Sequence, residues 1–233
     1  MYMDWTYIIF VLPAVIFSMW ASAKVTSTFN KYSKVHNSRG LTADAAARYI
    51  LDRNGLQNIR IEHISGELTD HYDPAANVIR LSDSVYGNTS TAAVGVACHE
   101  TGHAIQHAVG YKPVKIRTAI VPITNFGSKL SVPLIIVGLL LASFSNVFIL
   151  LAYFGVLCFS LCVVFQLVTL PTEFDASKRA LNCIEENGLL AEDEFAGAKK
   201  TLTAAAMTYV AALATSIMQL LRFVVIVGGN RRN

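Results

Sequence analysis

Charged residues are scarce in this chain of 233 residues: 15% are Asp, Glu, Lys or Arg, against about a quarter in ordinary soluble domains. From Leu130 to Thr172 there is none at all, a run of 43 residues. With 53% hydrophobic residues and a mean hydropathy of +0.45, that run excludes a disordered regulator and points to an integral membrane protein with the lipid bilayer as its solvent. Cysteine is sparse too. Cys98, Cys158, Cys162 and Cys183 form no CxxC pair and no framework spacing, which excludes a disulfide-stapled secreted module and reads as free thiols in a reducing compartment. The net charge of +3 comes without a dense basic run, so no nucleic-acid partner is expected. Internal repeats and low-complexity tracts are absent as well.

What is present divides into spans and an ordinary domain. Trp5 to Ala23 is apolar and ends at Lys24; as a helix it reaches about 28 Å, one bilayer crossing. Ala21-Ser22-Ala23 has the small-x-small look of a signal cleavage site, but Met1-Tyr2-Met3-Asp4 carries an acid and no base, so residues 1–24 are expected to be an uncleaved anchor. The uncharged run breaks at Ser143-Phe144-Ser145-Asn146 into Ser128–Ser145 and Val147–Thr169, a transmembrane hairpin over residues 128–170. Thr201–Val227 is either a fourth span or an Ala-rich membrane-proximal helix, within residues 201–233. Lys24, Lys31, Lys34 and Arg39 follow the first span and Lys112, Lys115, Arg117 and Lys129 precede the hairpin, which places residues 25–127 in the cytoplasm of a multi-pass plasma-membrane protein. Two crossings return residues 171–200 to the same side. Arg231 and Arg232 would then fall outside if the last segment crosses fully.

Residues 25–127 have the composition of a small α+β domain. Thr42 to Arg53 reads as a helix stopped by Asn54-Gly55, Asn58 to Ile64 and Asn77 to Ser82 as strands, and Asp70 to Pro74 as a turn. Ser90 then caps an Ala/Val-rich helix over residues 91–109, closed by Gly110. That helix contains His99-Glu100-Thr101-Gly102-His103, an HExxH. Four residues apart, His99 and His103 are separated by about 40° and 6 Å along a helix, so both imidazoles can meet one ion, with Glu100 within reach of a water upon it. Two imidazoles with an oxygen ligand suit Zn2+, which activates a water while Glu100 serves as general base. Three histidines and a carboxylate in so apolar a helix need partners, since burying them unsatisfied costs several kcal/mol.

His107 shares the face but lies about 12 Å along the axis from His99, so it is expected to support the ligands or touch substrate. The third ligand is expected to be Glu173, at the point where the hairpin returns. A simpler reading has Thr172 and Asp175 form a capping box for a helix that starts there, with Glu173 in its first turn; the two are compatible.

On the N-terminal span, His71-Tyr72-Asp73-Pro74, the string from His99 to His107, the hairpin and Glu173-Phe174-Asp175-Ala176-Ser177, the chain resembles the YugP-type membrane zinc metallopeptidases over essentially its full length. More distantly it is similar to the HtpX and CAAX-prenyl-protease gluzincins. The resemblance implies a mainly α membrane protein with a small zincin-like catalytic domain, acting as an endopeptidase on polypeptides in or near the membrane. Those relatives carry ExxxD where this chain has Ser177 four residues after Glu173 and its acid at Asp175, which leaves open what orients the ligand imidazoles. By resemblance and order, Asn77–Ser82 would be the edge strand that holds substrate, and His71, Tyr72, Tyr86 or Arg179 the donor to the oxyanion. Two other functions remain open: a non-catalytic metal-binding scaffold or transport component, and an intramembrane zinc protease.

Overall fold

The computed structural model describes residues 5–145 and 147–229; Met1-Tyr2-Met3-Asp4, Asn146, Arg231 and Arg232 lie outside the described residues. The architecture is mainly helical with one small sheet. Helix α1 (Leu12–Tyr32) follows a π-helical turn at Tyr7–Val11, α2 is Ala43–Arg53, and strands β1 (Arg60–His63), β2 (His71–Asp73) and β3 (Val78–Leu81) precede α3 (Thr91–Ala108), α4 (Lys112–Leu141), α5 (Val147–Glu186) and α6 (Glu192–Gly229). Among the described residues, four helical stretches are long and apolar enough to cross a membrane: Tyr7–Tyr32, α4, α5 and α6. They run well past the apolar segments read from sequence, because hydropathy marks the part that meets lipid and helical hydrogen bonding continues into the polar residues beyond.

The chain forms two compact units. One comprises the segment ending at Trp20, Lys115–Leu170 and the chain from Thr208 onward. Its small core joins Ile135, Ala152, Val156, Phe223 and Val227, with Phe159 set edge-on to Phe223 and Ser18 hydrogen-bonded to Thr215. Large apolar side chains point outward all round it, among them Leu140, Leu150, Leu157 and Phe126. So much exposed hydrocarbon is untenable in water and suits a lipid surround.

The other unit comprises Ala21–Val114 and Pro171–Met207 and has a core of its own, built from Ile50, Leu51, Ile79, Leu81, Val94, Ala180 and Ile184 among others. Thr42 caps α2 by accepting from the Ala45 N–H. Ser90 caps α3 by accepting from the Ala93 N–H. Gly110, at φ +67°, ends α3 in a Schellman motif: the Tyr111 N–H donates to Gln106 O and the Gly110 N–H to His107 O.

The sheet order is β1-β3-β2, with β1 parallel and β2 antiparallel to β3. Two sequence expectations are corrected here. Residues 71–73, read as part of a turn, form β2, with Tyr72 opposite Ile79; the turn proper is Pro74–Asn77, where the Asp73 carboxylate accepts from the Ala75 and Ala76 N–H groups. Three residues are too few to display a period of two, so the strand was masked by its turn. Secondly, β3 is the central strand, buried at Val78, Ile79 and Leu81, and cannot be an edge that takes up substrate. The edge strand that packs against α3 is β2.

The expected helix start at Thr172 is absent as well. α5 runs unbroken through Pro171 to Glu186, so Thr172 and Asp175 are interior residues and no capping box forms there.

Candidate metal centre

α3 brings the motif to the interior of the second unit. Its small residues Ala92, Ala93, Ala97 and Cys98 are fully buried, and the helix packs against α2 and β2. Against the same helix lies the C-terminal half of α5, and Gly102 permits the approach. A Cβ on Gly102 would stand 2.4 Å from the carbonyl oxygen of Ala176, a distance at which only hydrogen fits.

The close approach delivers Glu173 to the two histidines. Glu173 Oε2 lies 3.3 Å from His99 Nε2 and 3.4 Å from His103 Nε2, and the three candidate ligand atoms lie within 4.8 Å of one another. The imidazoles are 4.7 Å apart between centroids and nearly perpendicular. Glu173 is almost wholly buried. Burial opposes its ionisation, but the hydrogen bonds and charges of His103 and His99 outweigh this and hold its carboxyl well below the usual carboxylate range. His103 answers in kind: burial opposes its charged form, yet Glu173 and Glu100 prevail and raise its pKa.

The remaining ring nitrogens are engaged. His103 Nδ1 is 3.1 Å from Gln106 Oε1, and His99 Nδ1 is 3.1 Å from Ser177 Oγ. Each imidazole thus turns Nε2 toward the shared point. Two imidazole nitrogens and one buried carboxylate oxygen form the donor set zinc prefers; magnesium or calcium would call for oxygen throughout. The residues present therefore fit a zinc ion.

Glu100 is buried one position on from His99, and its Oε2 accepts from the Tyr72 N–H of β2 at 2.9 Å. The main chain of β2 is in this way tied directly to the motif. His107 sits one turn beyond His103, its ring edge-on to that of Tyr72 at 5.4 Å. The other candidates are engaged elsewhere: His71 with Thr69 O and Arg80, the Tyr72 hydroxyl with Asn77, Tyr86 with the His63 ring, and Arg179 with Asp175 and the face of Tyr111. Cys98 is fully buried, and burial pushes its thiol pKa up, the condition of an inert packing residue.

Gln106 is the residue that sequence reasoning passed over. It is fully buried, and its amide nitrogen donates to Thr172 O and Asp175 Oδ2, both at 2.8 Å. A polar side chain on the histidine face of an otherwise Ala-rich helix, three residues after a ligand, was the available signal.

Among the described residues, an HExxH pair meets a later glutamate in a chain with four helices long and apolar enough to cross a membrane, the arrangement of a candidate zinc centre in a membrane protein. Comparison with known proteins gives the family. The family model described as "Putative neutral zinc metallopeptidase" matches residues 7–228, and the chain belongs to that family. It is 46% identical over 220 residues to the Bacillus subtilis (strain 168) protein named "Putative membrane protease YugP", an alignment covering 94% of this chain and 96% of that one. No solved structure matches.

Proposed function

We propose that the protein is a multi-pass plasma-membrane endopeptidase of the gluzincin type, cutting membrane or membrane-proximal polypeptides from a zincin-like domain on the cytoplasmic side. The observation that carries this reading is the convergence of His99, His103 and Glu173 with Glu100 beside them. His99, His103 and Glu173 would hold zinc, which when bound lowers the pKa of a water and polarises the scissile carbonyl. Glu100 would be the general base, holding at its free carboxylate oxygen the proton given up by the attacking water and passing it to the leaving amine. The Tyr72 N–H fixes one oxygen of Glu100, leaving the other for the proton, and a peptide would lie beside the Tyr72 and His107 rings.

Topology supports the sidedness. The compact unit that contains the site draws on chain from both before and after Lys115–Leu170, as an even number of crossings, the hairpin, requires. The positive residues flanking the spans favour the cytoplasm for it. α3 is 18 residues long but not among the helices apolar enough to cross a membrane, and it packs with a sheet, which favours a site in water over an intramembrane one.

The test separates a peptidase from a metal-binding scaffold. Zinc content and cleavage of dye-quenched casein are measured on the detergent-solubilised full chain, and protein N-termini are compared between membranes from cells expressing wild type or Glu100→Gln. Zinc in both proteins with casein cleavage and new N-termini in wild type alone is the expected result. Equal zinc with neither form of cleavage in wild type would leave the scaffold reading, and absence of zinc from wild type would refute both.

A further inference from the structure

The ligand histidines need their rings held in one tautomer. For His103 the contacts run through Gln106, Asp175 and Arg179. Gln106 Nε2 faces two oxygens, Thr172 O and Asp175 Oδ2, each at 2.8 Å. A main-chain carbonyl and an ionised carboxylate only accept, so the atom between them must be the NH2 group. The amide orientation is fixed by that constraint, and Oε1 is the atom left facing His103 Nδ1 at 3.1 Å. An amide oxygen cannot donate, so Nδ1 must carry the hydrogen, and in the neutral, metal-binding form of the ring the lone pair of His103 falls on Nε2, the atom beside Glu173. Asp175 is held in turn by Arg179 Nε at 2.6 Å, whose guanidinium lies over the Tyr111 ring, and the Tyr111 N–H closes back onto Gln106 O.

We propose that Gln106 is a positioning residue for the metal centre, fixing the tautomer and ring orientation of His103 through the relay Arg179–Asp175–Gln106–His103. The proposal rests on the reading of His103 as a zinc ligand. Asp175, whose helical position on α5 points away from Glu173, thereby acts on the histidines of α3 through an intermediary. The relay also joins α3 to α5 at Thr172, next to Glu173, so the same amide that orients one ligand sets the spacing to another. Partners of metal-bound histidines are commonly worth about tenfold to a hundredfold in metal affinity.

The experiment measures zinc affinity by competition with a chromophoric chelator, on detergent-solubilised full-length protein, with the Co2+ absorption spectrum as a second readout and thermal melting to establish folding. Gln106→Met matches the side chain in length and removes every hydrogen bond it makes; zinc binding weakened by about tenfold or more is expected. Gln106→Glu keeps an acceptor for His103 but sets a carboxylate against Asp175 and should also weaken binding. Adding Asp175→Asn supplies an amide that can donate to the new carboxylate while its oxygen accepts from Arg179, and should recover part of the loss, the carboxylate still facing Thr172 O. A residue that merely fills space would give no such rescue. Wild-type affinity in folded Gln106→Met, or a double variant no better than Gln106→Glu alone, overturns the relay. If Gln106→Met does not fold, the comparison of Gln106→Glu with the double variant decides. Failure of wild type itself to bind zinc would overturn the metal reading instead, so the two failures are distinguishable.

Discussion

Gly102→Ala is the substitution that most directly tests whether contact between α3 and α5 builds the metal centre. The added methyl would sit 2.4 Å from Ala176 O, 3.0 Å from Ala176 C and 3.1 Å from its Cα. Ordinary contact begins at 3.4 Å, and all three atoms are backbone, so no side-chain rotation relieves the clash. The helices must part by about 1 Å, and overpacking of this kind costs roughly 1–3 kcal/mol. Glu173 lies three residues before Ala176 on α5, and His99 and His103 flank Gly102 on α3, so the displacement falls on the 3.3 and 3.4 Å separations that bring the ligands together. Zinc affinity is expected to fall by about tenfold to a hundredfold, the range found when ligand support is lost. Gly197→Ala is the matched control: its methyl would meet Thr91 Oγ1 at 2.4 Å and Tyr32 Cδ1 at 2.8 Å, away from the ligands. Both variants should melt at lower temperature, and only Gly102→Ala should lose zinc in chelator competition on the folded protein. Equal zinc affinity in Gly102→Ala and wild type would refute the claim that this contact sets the ligand spacing.

Other expected outcomes follow from the same geometry. Removing zinc by dialysis against a chelator should lower the melting temperature, since a ligand at a hundred times its dissociation constant stabilises the folded state by about 2.7 kcal/mol; an unchanged melt would contradict a site inside the core of the second unit. Tyr72→Pro deletes the N–H that Glu100 accepts, on an edge strand that tolerates proline, and should reduce casein cleavage by about tenfold to a hundredfold, the worth of a charge-assisted hydrogen bond. Zinc should be retained in that variant, and Tyr72→Phe, which keeps the N–H, should cleave like wild type. Glu194 accepts from the Ser38 and Ala191 N–H groups, and although burial opposes its ionisation these bonds leave its pKa lowered. Its contribution is therefore present above the ordinary glutamate value and lost as pH falls through the folded one. Glu194→Gln should melt below wild type at pH 7 and approach it in acid, and a difference that grows on acidification would reverse the sign.

The divide between what the sequence reveals and what only the fold supplies runs along the helices. Ser90, the Ala-rich stripe and Gly110 mark α3 because caps, propensity and a left-handed terminus act over a few residues, and the i, i+4 spacing of His99 and His103 is a property of one helix. Glu173 is legible for a different reason: a crossing must return before a carboxylate can rejoin those histidines, and few carboxylates stand near the returning end. Gly102 and Gln106 stayed silent because their meaning depends on a second helix. Periodicity shows that a face is buried without naming its partner, so Gly102 reads as a mildly unfavourable helix residue until Ala176 O is found where its Cβ would be. Asp175 shows the limit most clearly. Its angular distance from Glu173 argues against a role at the centre if a carboxylate must touch an imidazole directly. The fold removes that condition by inserting Gln106, whose amide accepts from the ring and donates to the acid. On the proposed reading, a carboxylate support for a histidine ligand is carried by residues that match no fixed spacing, and each ring nitrogen of His99 and His103 has a partner.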